Sequence, residues 1–260
     1  MKNTLKFIAF FFGLLLLCSL VILCNAQNLI NNGDFEKGNI PTGTGQHAYK
    51  WSVAGGSPDY CHQFATVMSG VNIPHHFAGD IPKAFEGIAC MGVCSYMENW
   101  NNFREYPCQK LQDSLVIGQT YEFEMYVLTE KNPCIYGHVS ISDFGVLFST
   151  IKPKKGVNHV INWQTTYTFP GYIYASQWTK MSFTFVADSA YKYLTFGCYV
   201  DDMTQKRHQT GMPMSYNCSY IFVDNISLKN TVSTGLNEIE ATIAERKKLI
   251  YFNLLGQKIR

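Results

Sequence analysis

Residues 120–128 read Thr120-Tyr-Glu-Phe-Glu-Met-Tyr-Val-Leu128, and their alternation decides the fold class. Tyr121, Phe123, Met125 and Val127 fall on one face, and Glu122, Glu124 and Tyr126 on the other. A period of two belongs to a strand with one face in a core and the other toward water. The same bias recurs along the chain. Residues 182–186 place Phe183 and Phe185 together, residues 191–199 are rich in aromatic and β-branched side chains, and in 219–228 Ile221 and Val223 face away from Tyr220, Phe222 and Asp224. Helical periodicity is nearly absent between residues 28 and 230. Clusters of Gly, Pro, Asn and Ser at 38–45, 55–58, 72–74 and 152–156 punctuate the strands, so the expected architecture is an all-β, two-sheet sandwich with long loops.

Composition agrees. Of 260 residues, 47% are hydrophobic and only 15% charged, which excludes a disordered tail, a collagenous chain and a coiled coil. Lys2 and Lys6 precede an apolar run over 7–23, and Cys24-Asn25-Ala26 then sets small residues before Gln27, the pattern of a secretory signal peptide over residues 1–26. The alternative is an uncleaved membrane anchor, since the run sits at the short end of the ~17–25 residues that a span needs. With the segment removed, 19 basic and 19 acidic residues remain, and a neutral chain argues against a nucleic-acid partner. No stable membrane span is expected in the mature chain.

Seven cysteines survive that removal, at 61, 90, 94, 108, 134, 198 and 218, and in an exported protein these are disulfide candidates. Cys90 and Cys94 lie on one expected strand, about 13 Å apart at ~3.3 Å per residue, too far to bridge. Cys198 and Cys218 each adjoin a β-like run, and a bond between them would staple the polar stretch that separates them. None of the spacings reads as a zinc site.

Two ends of the body carry a resemblance. Asn28-Leu-Ile-Asn-Asn-Gly-Asp-Phe-Glu36 resembles the opening strand of carbohydrate-binding, galactose-binding-like jelly rolls, and Tyr220-Ile-Phe-Val-Asp-Asn-Ile-Ser-Leu228 resembles their closing strand. Trp51, Gly56-Ser-Pro-Asp-Tyr60, Ile73-Pro-His-His-Phe-Ala-Gly79, Phe103-Arg-Glu-Tyr106 and Leu115-Val-Ile-Gly-Gln-Thr-Tyr121 look like a subfamily of secreted and outer-membrane proteins from bacteria with type IX secretion. The resemblance covers residues 28–228 and implies a jelly roll over 27–230 whose first and last strands are neighbours. After a small-polar linker at 231–235, Gly235-Leu-Asn-Glu-Ile-Glu240 and Ile250-Tyr-Phe-Asn-Leu-Leu-Gly-Gln-Lys258 resemble the first part of a type IX C-terminal sorting domain. Residues 231–260 would then address secretion machinery, and the chain would act outside the cell or on the outer-membrane surface.

The resemblance implies a structural calcium ion tying the opening strand to the closing one, with Glu36 and Asp224 as ligands, because calcium takes six to eight oxygens from carboxylates and carbonyls. It also implies a glycan surface. Flat aromatic faces stack on pyranose rings and planar polar groups read hydroxyls, so Trp51, Tyr60, Trp100 and Tyr106 beside Asp59, Arg104 and Glu105 are the candidates. The competing reading puts Trp51 and Tyr106 in the core and makes Arg104-Glu105 a structural ion pair. Residues 199–217, with Asp201, Asp202, Lys206, Arg207 and His208, form either a binding loop or solvated decoration. The chain lacks a G-x-S-x-G elbow, an H-E-x-x-H helix and a P-loop. The expected function is a non-catalytic glycan-binding module; the alternatives are a structural or adhesive protein contacting protein or peptidoglycan and, less favoured, a polysaccharide-active enzyme.

Overall fold

The computed structural model describes residues 27–81, 83–129, 137–155, 159–210 and 216–231. The signal-like segment, Cys134 and the sorting-like tail from residue 232 lie outside the described residues. The first compact unit ends at Asn230.

Among the described residues twelve strands follow in chain order: β1 Trp51–Gly55, β2 Asp59–His62, β3 Ala89–Met97, β4 Tyr106–Lys110, β5 Thr120–Thr129, β6 Gly137–Ile141, β7 Phe144–Ser149, β8 Tyr167–Thr168, β9 Thr179–Val186, β10 Tyr193–Cys198, β11 Arg207–Gln209 and β12 Asn217–Asn230. They form an all-β sandwich of two sheets. One sheet has the order β1-β4-β10-β7-β8 and is antiparallel throughout. The second is organised by β12, which pairs with β3 on one side and with β6 and then β5 on the other; β2, β9 and β11 extend it outward. Its one parallel ladder among the described residues joins β12 to β6 at Asn217 and Cys218.

The alternation in β5 does what a period of two requires. Tyr121, Phe123, Met125 and Val127 enter the main core with Ile221 and Val223 of β12, and meet Trp51, Phe144, Phe148, Leu194 and Phe196 from the other sheet. Tyr220 and Phe222 point to the opposite face, as the alternation in β12 requires. There, residues 63–88 cover the β2-β3-β12 part of the sheet and enclose a second core of Cys61, Ile73, Ala78, Ile81, Cys90, Cys94, Tyr220 and Phe222. The β5 and β9 part of that outer face keeps Glu124 and Lys180, which form an ion pair.

The opening segment closes against the last strand. Leu29 N–H donates to Leu228 O at 2.8 Å, Leu228 N–H to Asn28 Oδ1 at 2.9 Å, and Ile226 N–H to Gly33 O at 2.9 Å. Gly33 is required there: a β-carbon would collide with the Ile226 carbonyl oxygen. Between Asp224 and Ser227 β12 bulges, with Asn225 at φ 47°, and this irregularity lets one strand serve β5 and the opening segment together.

Candidate functional site

Six of the seven expected glycan-binding residues are interior, which corrects the assignment made from sequence. Trp51 packs against Phe35 and Phe196 and donates its indole N–H to Asn32 O at 2.9 Å. Tyr60 donates its hydroxyl to Phe35 O at 3.0 Å, and Tyr106 donates to Cys198 O at 2.5 Å. All three rings are buried, so no sugar face can reach them. Trp100 alone is open, 57% exposed and edge-on to Phe103.

The three charged candidates are also buried, and each has an internal task. Asp59 accepts from Tyr220 Oη at 2.6 Å and from Gly45 N–H at 2.8 Å. Glu105 accepts from Cys94 N–H at 2.7 Å and from Ser57 Oγ at 3.1 Å. Burial first, and the neighbouring Asp59 carboxylate second, push Glu105 up to about 8; burial likewise raises Asp59. Arg104 is not Glu105's partner. Its guanidinium reaches Asp202 Oδ1 at 2.8 Å and Val200 O at 3.0 Å, pinning the start of the 199–217 stretch to the body.

Glu36 and Asp224 do meet the same piece of chain. Glu36 Oε1 accepts from the Ile88 and Ala89 N–H groups at 2.9 and 3.1 Å, and Asp224 from those of Glu86 and Asn225 at 3.1 and 2.7 Å. Both carboxylates therefore hold the approach to β3. Asp224 is pushed up to about 8, chiefly by burial and further by Glu36. These oxygens suit a hard cation, but among the described residues no three His, Cys, Asp or Glu side chains converge as a ligand set.

The expected Cys198–Cys218 staple does not form. Cys198 ends β10 in the five-stranded sheet and packs in the main core; Cys218 lies near the start of β12 in the other sheet and packs in the second core. The stretch between them is held instead by Asp202, as above, and by β11 pairing with β6.

An aromatic groove that the sequence analysis did not identify opens on the outer face of the second sheet. It has a volume of ≈ 370 Å³ and is lined by Asp80, Lys83, Phe85, Leu128, Thr129, Ser176, Gln177 and Trp178. Phe85 stacks on Tyr126 with centroids 3.7 Å apart, and Trp178 stands edge-on to Phe85 at 6.2 Å. Trp178 donates its indole N–H to Lys83 O at 3.0 Å, which joins the two walls. The floor is fixed by Thr129, whose N–H donates to Ala175 O at 2.8 Å and whose hydroxyl oxygen accepts from Ala175 N–H at 2.9 Å. Apolar rings are thus flanked by an ammonium, a carboxylate, an amide and a hydroxyl. The available signal was Ser176-Gln177-Trp178, a tryptophan in a polar run just ahead of β9.

No family model and no curated protein matches this chain. Among solved structures, the xylan-binding domain CBM22-1 of Paenibacillus barcinonensis Xyn10C is similar at 11% identity, covering 79% of this chain and 95% of that one, with a TM-score of 0.40. The K3 cleaved adhesin domain of Lys-gingipain from Porphyromonas gingivalis is similar at 13% identity, covering 78% and 98%, with a TM-score of 0.38. Likenesses this distant carry no weight for function.

Proposed function

We propose that the chain is a non-catalytic glycan-binding module that acts outside the cell. The observation that carries this reading is the groove: two partly exposed rings, Phe85 and Trp178, beside Asp80, Lys83 and Gln177. Sugars expose apolar C–H faces ringed by hydroxyls, and this mixture of aromatic and planar polar groups complements both. The signal-like residues 1–26 support export, and the sorting-like residues 231–260 would serve the secretion machinery. A glycan array probed with the purified chain tests the reading. A positive glycan should lose at least about tenfold in affinity with Trp178→Ala or Phe85→Ala, equivalent to about 1.4 kcal/mol. Trp51→Phe, remote from solvent, should leave it unchanged; absence of any glycan signal removes the proposal.

A calcium ion at Glu36 and Asp224 belongs to the same proposal. It would take the place of the proton that Asp224 otherwise keeps near neutral pH, so millimolar calcium should raise Tm and a chelator reverse the rise. An unchanged Tm in both removes the ion. One observation favours the second, adhesive reading: Phe64, Val67 and Met68 are 62%, 60% and 95% exposed around the 3-10 turn Val67–Ser69. Such a patch suits protein contact. If Met68→Lys abolishes adhesion to a protein-coated surface while the groove variants do not, that reading prevails.

A further inference from the structure

All six described cysteines, Cys61 and Cys90 included, are free thiols in the structure, and among them one pair faces each other across a ladder. Cys61 of β2 and Cys90 of β3 are direct antiparallel partners, between the pairs Tyr60–Met91 and His62–Ala89. Cys94 is opposite Tyr220, Cys218 opposite Met97, Cys108 opposite Ser52 and Thr195, and Cys198 opposite Phe144. Residues directly opposed in an antiparallel pair have Cα atoms about 4.5–5.5 Å apart, within the 4.4–6.8 Å that a disulfide accepts. Both side chains point to the same outer face and are fully buried in the second core, where the Cys61 thiol donates to Asp59 O at 3.7 Å.

We infer that Cys61 and Cys90 are a disulfide-forming site, oxidised when β2 docks on β3. The chemistry is a two-step exchange with a small disulfide RS–SR. One cysteine thiolate attacks it, releasing RS⁻ and leaving a mixed disulfide; the second thiolate then attacks the cysteine sulfur of that bond, releasing the other RS⁻. The S–S bond of the reagent is replaced by the S–S bond of the protein, and the two protons lost by the cysteines end on two RSH molecules. Thiolate is the attacking species, and burial raises both thiols, Cys61 well above its ordinary value, so exchange belongs to the folding chain, before residues 63–88 close over the pair. The bond would close a loop of about 30 residues, the one that forms the cover of the second core.

The test unfolds and reduces the full chain, refolds it in a mixture of reduced and oxidised glutathione, blocks remaining thiols with iodoacetamide and maps peptides without reduction. A Cys61–Cys90 cross-linked peptide is expected, with a Tm about 10 °C above that of chain refolded under full reduction. Recovery of both cysteines as alkylated thiols, or of either joined to a different cysteine, overturns the inference. Cys61→Ser, which keeps size and polarity close to the original, should abolish the difference in Tm between the two conditions; persistence of that difference overturns it as well.

Discussion

Arg104 is the largest fully buried side chain among the described residues, and only its partners make that position tolerable. Its charge is answered by Asp202, while Phe103 O and Val200 O take further N–H groups. Removing one member of a buried pair leaves the other uncompensated, so Arg104→Met should cost about 3 kcal/mol by chemical denaturation. A loss below about 1 kcal/mol would show that the solvent-side edge of Asp202 already carries the pair. Gly33→Ala acts through shape: a methyl group against the Ile226 carbonyl must push the opening segment off β12, and hydrogen exchange at Leu29 and Ile226 should accelerate at least tenfold. Single residues were where sequence was least legible. Trp51, Tyr60 and Tyr106 belong to the same residue types as Phe85, Tyr126 and Trp178, and what separates a core ring from a groove ring is strand register between distant segments. The competing reading paired Arg104 with its neighbour Glu105, but successive residues diverge, and its partner is 98 positions along the chain.

At the scale of elements, period and pairing were legible where one face is dry. The alternation in residues 120–128 placed Phe123 and Met125 inward, because a shift of one residue would put them toward water, whereas that in 219–228 separated Ile221 and Val223 from Tyr220 and Phe222 without saying which pair enters the main core, since both faces of that strand are buried. The two end motifs also made legible that the opening segment closes on the last strand, but residues 28–36 run as turns with a single bridge from Asn28 to Lys229 and not as the expected strand, and the first strand, β1, lies in the other sheet. The cover formed by residues 63–88 was not: its small apolar residues, Ala78, Ile81 and Ala84, carry no period, and they are buried because the sheet beneath presents a second apolar face. That cover is tied down at its end by Glu36, whose Oε1 accepts from both Ile88 and Ala89. Hydrogen bonds to charged groups contribute about 1.5–3 kcal/mol each, with heavy discount for partial exposure, so Glu36→Ala should cost about 2 kcal/mol. Protease cleavage within residues 63–88 should accelerate in that variant, and an unchanged cleavage rate would show that Asp224 suffices.

For the whole molecule, buried titrating groups set opposing slopes of stability with pH. Glu105 and Asp224 are raised to about 8 from ordinary values of 4.5 and 3.8, so the folded chain binds more protons than the unfolded one between roughly pH 4 and 8. Their contribution is therefore full at low pH and lost as pH rises through 8. His76 and His138 are lowered by burial to about 3 and about 4 from 6.5, so their contribution is full above pH 6.5 and lost on acidification. Between about pH 4 and 6.5 the two effects oppose each other; above that window the raised carboxylates, Asp59 among them, set the slope, and below it the lowered histidines. Thermal denaturation should show a plateau there, falling on both sides, and Glu105→Gln should flatten the alkaline limb. A profile that rises steadily from pH 6.5 to 9 would contradict these assignments. The position of β12 has a consequence in time. The strand that joins β3, β5, β6 and the opening segment is among the last residues of the body to be synthesised, so a nascent chain ending before residue 217 has β3 and β5 but nothing to lie between them. Sandwich assembly is thus postponed until the body is complete, and until then two unpaired strand edges stand open to whatever chaperone, or neighbouring chain, reaches them first.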